Sequence, residues 1–276
     1  MTSSIVRKIY PPRRFPAGLA PSGQRSMHHN CMLNDFEKMG EAVVGIILKL
    51  AARKFNFSGA TVTHFLANQL KTERFYEMWS LFGGRPVRFS LNEFEEVTQM
   101  NCGEVDANDG WDIDHTKFWE EIGVPVGEGP KWSELLVLFE KIRTWSEEKK
   151  RMIALLFILH VGVYGYARDS RIPLKAAKRV MDPEAFERYP WGRVSFQCLI
   201  SSMQVTDMKK ITLHGCVHAL LVWIYEAVPI LGERFGKRRE GGVPMLRWGG
   251  GRGRYNLEQV MEEDKKSSNN NKVIFI

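Results

Sequence analysis

His214, Cys216 and His218 lie within one short stretch, and imidazole and thiol groups so close together are the first place to look for chemistry. On a helix the two histidines, at i and i+4, would share a face, a spacing that holds zinc when further ligands converge. The neighbouring sequence supplies none: it has no His-Glu-x-x-His, and Cys198 joins the set only if the fold carries it there. The same stretch pairs a thiol with an imidazole, the start of a cysteine nucleophile, but no residue identifies itself as the third, orienting group. Cys31, Cys102, Cys198 and Cys216 show no CxxC pair, which fits a reducing, intracellular compartment and thiols that act as small apolar side chains. The reading of these residues is therefore no catalytic residue, no metal ligand and no cofactor, in a protein that is not an enzyme.

Phosphate contact is the other chemistry the residue types allow. The chain carries a formal charge of +7. Residues 1 to 34 contribute Arg7, Lys8, Arg13, Arg14 and Arg25 with no acid among them, so the excess gathers in this arm. Near the other end, Arg247-Trp248 precedes the Gly249 to Arg254 run with its Arg252 and Arg254, a brief element in which arginine meets phosphate and an aromatic ring stacks on a base. Arg7, Lys8, Arg13, Arg14, Arg247, Arg252 and Arg254 are thus the candidate nucleic-acid contacts. No helix-turn-helix or zinc finger accompanies them, so the binding expected is weak and indifferent to sequence. The plainer reading of the glycine run is a flexible linker.

The elements that would position these groups are mostly helical. Apolar residues recur at intervals of three and four from Leu33 to Arg53, an amphipathic helix, and Ser58 caps a second, shorter one carrying Val62, Phe65 and Leu66. Phe75 to Phe82, Gly83-Gly84 and Val87 to Phe89 spell a hairpin. Ser90-Leu91-Asn92-Glu93 is a capping box that opens a helix to Met100. Gly103 to Asp114 is acidic and rich in turn formers, an exposed loop and the natural internal seam. Further helices are expected at 115–122, 132–145, 147–166, 174–188, 191–203 and 213–235, with Trp191, Trp223 and Tyr225 as core anchors.

The organisation expected is a basic, Pro-rich arm over 1–30, a helical domain over 31–235 and a Gly/Arg-rich, low-complexity tail over 236–276, the whole a mainly α, multi-helix globular domain with one small β-hairpin. Pro11, Pro12, Pro16 and Pro21 would break the amphipathic helix of an organelle presequence. No membrane association is expected. The apolar run from Met152 to Ala167 is shorter than the roughly 20 residues a bilayer needs, and Leu213 to Leu231 contains Glu226 and Pro229.

Several landmarks go beyond periodicity: Tyr10-Pro11-Pro12-Arg13-Arg14-Phe15, Gly84-Arg85-Pro86-Val87-Arg88-Phe89-Ser90-Leu91-Asn92-Glu93-Phe94, Arg171-Ile172-Pro173-Leu174, Tyr189-Pro190-Trp191-Gly192-Arg193-Val194, and His218 through Pro229. In this order the chain resembles the plant family catalogued as domain of unknown function 1985. The resemblance implies a segment carried by transposable elements, often ahead of a cysteine protease domain that cleaves SUMO-type modifiers, and nuclear residence would suit that context. The landmarks include no protease His, Asp and Cys set. The function expected is a non-catalytic interaction or scaffold domain with an unknown protein partner. Weak nucleic-acid binding through the arm and tail is the alternative, and a remnant or accessory part of a SUMO-type cysteine protease the second.

Overall fold

The computed structural model describes residues 10–15, 27–29, 55, 57–204, 211–240, 242–249 and 256–268. The helix expected over Leu33 to Arg53 lies outside them. So do Arg7, Lys8, Arg252 and Arg254.

Met27–His29 (β1) pairs in parallel with a strand far along the chain. Gly59–Ala67 (α1) starts at Ser58, whose Oγ accepts the Thr61 N–H. The hairpin then forms from Glu77–Phe82 (β2) and Arg85–Ser90 (β3), with Phe82 opposite Arg85. Both turn residues take positive φ, 57° at Gly83 and 79° at Gly84, the primed geometry that suits a two-residue loop and that glycine adopts without strain. Ser90 leads straight into Leu91–Thr98 (α2), and its N–H donates to Glu93 Oε2 at 2.8 Å, closing the capping box.

Beyond the acidic loop come Thr116–Ile122 (α3), Trp132–Leu136 (α4) and Glu147–Phe157 (α5). The continuous helices expected here are interrupted. After α4 the chain narrows into 3-10 turns at Val137–Glu140 and Ile142–Thr144, and after α5 it widens into a π-helical stretch, Ile158–Val163. The segment 174–188 is also broken, into Leu174–Lys178 (α6), a 3-10 turn at Arg179–Met181 and Pro183–Arg188 (α7). Proline explains the second start: Pro183 has no N–H to continue the ladder, and Asp182 Oδ1 caps the new helix by accepting from Ala185 N–H at 3.0 Å. Trp191–Ser202 (α8) follows.

Ile211–Leu213 (β4) is the partner of β1, so the region read as the start of one long helix is a strand and a turn. Gly215 sits there at φ 74° and Gly165 opposite at φ 59°; a Cβ on Gly165 would lie 2.5 Å from the Gly215 carbonyl oxygen, so only glycine permits the crossing. Val217–Ala227 (α9) is buried from Val217 to Tyr225 and forms the axis of the core. Pro229–Phe235 (α10) continues after a break at Val228. The remaining described chain gives Lys237–Arg238 (β5), Trp248–Gly249 (β6), which pairs with it, and Leu257–Ser268 (α11).

The core is aromatic around α9. Trp223 meets Phe89 at 4.9 Å between ring centroids, Phe65 stacks on Phe82 at 5.6 Å, and Phe196 sits 5.6 Å from Phe94. Trp191, Trp223 and Tyr225 are all buried, as expected of core anchors. The architecture is mainly α with a small hairpin. Two departures concern the expected domain organisation. The stretch read as a tail contributes Met245, Trp248 and Val260 to the core. The acidic loop read as a seam is clasped: Arg193 Nε donates to the Cys102 and Gly103 carbonyls, and Gly192 N–H to Asn101 O at 2.8 Å. Among the described residues no helix is long and apolar enough to cross a membrane.

Candidate binding site

The hairpin sheet is wider than its two strands. Leu70 N–H donates to Trp79 O and Leu81 N–H to Asn68 O, which adds residues 68–70 beside β2; Arg14 N–H donates to Gln69 O and Lys71 N–H to Pro12 O, which adds the arm beyond them. Backbone pairing thus brings Arg14 next to the loop 71–76 from far away in sequence. The C-terminal end of α8 closes the other side: Gln69 Nε2 donates to Met203 O at 3.0 Å and Gln204 Nε2 to Phe75 O at 3.3 Å.

Between these elements lies a cavity of about 310 Å³. Leu70, Met78, Ile200 and Met203 give it apolar walls, and Arg14, Lys71 and Arg74 stand on its rim. Glu77 is the acid that lines it, and that carboxylate is engaged: Trp79 Nε1–H donates to Oε1 at 3.0 Å and Arg74 Nη1 lies 3.5 Å away. On the lip, Phe75 is 72% exposed, and Tyr76, the next residue in the chain, is 62% exposed. Neighbouring large aromatics bare to water are costly to leave unpartnered, and they mark a contact surface when a pocket adjoins them.

The arm is held from behind by a polar chain. Arg13 Nη1 donates to Asn68 Oδ1 at 2.6 Å, and Asn68 Nδ2 lies 3.3 Å from His64 Nε2. Burial first, and then the Arg13 charge, lower the His64 pKa from 6.5 to about 4. The unfolded chain takes up this proton at higher pH than the folded one, so stability from His64 is complete above about pH 6.5 and is lost as pH falls toward 4. The loss amounts to up to about 3 kcal/mol, and His160, also lowered by burial, acts in the same direction. Melting temperature measured between pH 7 and pH 4.5 is expected to fall, and His64→Gln is expected to flatten that dependence; an unchanged slope in the variant would refute the assignment.

A second cluster surrounds Arg179, which is only 4% exposed. Its guanidinium lies 4.4 Å from the Trp111 ring centroid and 4.1 Å from that of Tyr189, and it pairs with Asp109. Lys178 pairs with Asp112, Lys175 reaches Asp109, and Trp111 Nε1–H donates to Asp182 Oδ2 at 3.1 Å. Desolvation opposes ionisation of Asp109, yet the Trp111 N–H, Arg179 and Lys175 hold its pKa below the usual value. Of the loop's acids, Asp109 is drawn in as the clasp, while Glu104, Asp106, Asp112 and Asp114 remain exposed.

The residues singled out for metal or thiol chemistry part company. His214 lies in the turn before α9, not on it, with Nδ1 3.3 Å from Gly165 O and its ring against Tyr166. His218 packs edge-on to Phe55 and Phe57. Cys216 donates its N–H to Ser195 Oγ, and burial pushes its thiol up to about 11. Cys198 is likewise pushed up to about 11 by burial, and Cys102 to about 12. Among the described residues no three His, Cys, Asp or Glu side chains gather as a metal site.

Of the seven candidate phosphate contacts, Arg13 and Arg14 come to the same sheet edge, with Arg14 on the pocket rim and Arg13 turned to Asn68. Arg247 is elsewhere, donating to Gly242 O at 3.0 Å and lying 3.8 Å from Glu226. Lys71, Arg74, Phe75, Tyr76 and Trp79 escaped the sequence reading. The usable signal was the adjacent pair Phe75-Tyr76: side chains alternate along a strand, so two consecutive large aromatics cannot both face one core.

Fold and site together define a mainly helical domain with a basic-rimmed, apolar-walled pocket. The stretch 66–202 matches the family model described as Domain of unknown function (DUF1985). No curated protein and no solved structure matches the chain. The matched stretch includes most of the pocket, from Gln69 to Trp79 and Ile200, while Arg14, Met203 and Gln204 are supplied from outside it.

Proposed function

We propose that this protein is a non-catalytic interaction module whose recognition surface is the pocket between the arm, the loop 71–76 and the end of α8, and whose ligand is an anion with an apolar or aromatic part. One observation carries the reading: the bare ring of Phe75, with exposed Tyr76 next to it in the chain, stands at an apolar cavity that Arg14, Lys71 and Arg74 also line. Support for a non-catalytic role comes from the thiols of Cys102, Cys198 and Cys216, which burial keeps protonated, and from His160, His214 and His218, which face aromatic rings or backbone carbonyls. The family resemblance adds a setting, a scaffold or targeting module carried by a transposable element and acting inside the cell, in the nucleus.

An anilinonaphthalene sulfonate dye, an aromatic anion, tests the pocket itself. Wild-type protein is expected to enhance its fluorescence at a single site. Phe75→Ala/Tyr76→Ala is expected to weaken that site by about tenfold, taking roughly 1.4 kcal/mol for the lost aromatic contact, while the melting temperature stays put because both rings are solvent-exposed. Dye binding that is equally strong in the variant would remove the pocket from consideration.

A further inference from the structure

Resting on the pocket reading, we infer that the ligand is single-stranded nucleic acid, held with its phosphodiesters on Arg14, Lys71 and Arg74 and its bases against Phe75 and Tyr76. Three properties of the site favour this polyanion over an acidic peptide. First, the rim bears Arg14, Lys71 and Arg74 against one lining carboxylate, Glu77, which pairs with Arg74 and accepts from Trp79 Nε1, so an incoming phosphate meets a net positive edge. Second, neither Phe75 nor Tyr76 has a ring partner among the described residues, which leaves two consecutive aromatic faces for stacking. Third, an extended peptide would gain its affinity by adding a strand, and on this side of β2 the edge is taken: residues 68–70 pair with β2, and the arm pairs with them. Stacking and phosphate contact need no backbone edge. Duplex DNA fits poorly, since its bases are stacked on one another and present no free face to the lip.

The surface differs from the one composition suggested. Of the arginines in the arm and the glycine-rich run, Arg14 takes part, and its partners come from the loop before β2. Contact with three phosphates gives a salt slope of about −2, so a fourfold rise in salt weakens binding roughly 20-fold. Loss of both stacking rings weakens it at least about tenfold.

Fluorescence anisotropy on the full chain decides the matter, with a labelled oligothymidylate of about 15 nucleotides, the same length of duplex, and an acidic peptide of glutamate and leucine as the three probes. The inference expects the oligothymidylate to bind more tightly than the other two, with the salt slope above, and expects losses in both Phe75→Ala/Tyr76→Ala and Arg14→Gln/Lys71→Gln/Arg74→Gln. The conservative Phe75→Tyr should retain binding, which guards against a general folding defect. If the peptide binds through the same residues and the oligonucleotide does not, the nucleic-acid inference fails and the pocket reading stands. If no probe responds to either set of substitutions, both fail. Equal affinity for duplex and single strand would refute the stacking account.

Discussion

Trp248→Ala is expected to cost about 3–5 kcal/mol, read as a fall in melting temperature of roughly 6–20 °C. The indole is 3% exposed and lies against Gly232 of α10 and Gly236 just after it: a Cβ on Gly232 would approach its Cη2 to 2.3 Å, and one on Gly236 its Cε3 to 2.7 Å. Those bare positions form the slot into which the ring fits. Its Nε1–H donates to Glu226 Oε1 at 2.9 Å, and its ring meets Tyr225 of α9 at 5.3 Å between centroids. Removing the side chain leaves a large void in a tight seat and strips the half-buried Glu226 carboxylate of a donor. Gly232→Val should approach the same loss by closing the slot from the other side. A chain ended at Phe235 should do worse than either, because it also loses Met245 and Val260 from the core and the contacts of α11, where Arg234 meets Glu263 at 2.9 Å and Arg85 meets Asp264. A truncated chain that melts at the wild-type temperature would show that residues after 235 are an appendage after all.

That expectation could not have been drawn from composition, and the reason is physical. Gly249 to Arg254 has few large side chains and high backbone entropy, so locally it reads as a linker, and Trp248 beside it reads as an exposed ring. Whether a tryptophan is buried depends on a slot elsewhere, here made by Gly232 and Gly236. The elements that were legible were those whose causes are local. Ser90 and Glu93 close their capping box within four residues, Gly83-Gly84 sets its own turn, and Ser58 caps α1 from the adjacent position. Long apolar runs were legible as helix but not as broken helix, since Gly215, Pro183 and Pro229 act through backbone geometry that a hydrophobic count ignores. The pocket failed on the same ground as Trp248. Arg14 reaches the loop 71–76 through backbone pairs to residues more than fifty positions away, and periodicity carries no information about such pairings.

Arg179→Ala is expected to be the most damaging single substitution in the acidic clasp, at about 3–5 kcal/mol, because it removes the buried member of an ion pair together with its packing between two rings. Charge reading alone would predict little: five acids in a short turn-rich stretch normally face water, and exposed pairs contribute under about 1 kcal/mol. Burial changes the magnitude. The guanidinium is enclosed between Trp111 and Tyr189, so its loss deletes two cation–π contacts and the packing of its stem, and leaves Asp109 with Lys175 as its remaining cationic partner. Lys178→Ala touches an acid that is itself largely solvated, Asp112, and should cost far less, though its own side chain is mostly covered. The informative comparison is Arg179→Met with Asp109→Asn. If uncompensated charge is what hurts, this double variant keeps the volume between the rings, discards both charges and recovers much of the stability lost in Arg179→Ala. If the cation–π sandwich dominates, it does not recover, since neither methionine nor asparagine offers the rings a cation. Urea midpoints of the three variants separate these accounts. A midpoint within error of wild type for Arg179→Ala would mean that the loop 103–114 is not held by this residue, and that the internal seam expected from its composition is real.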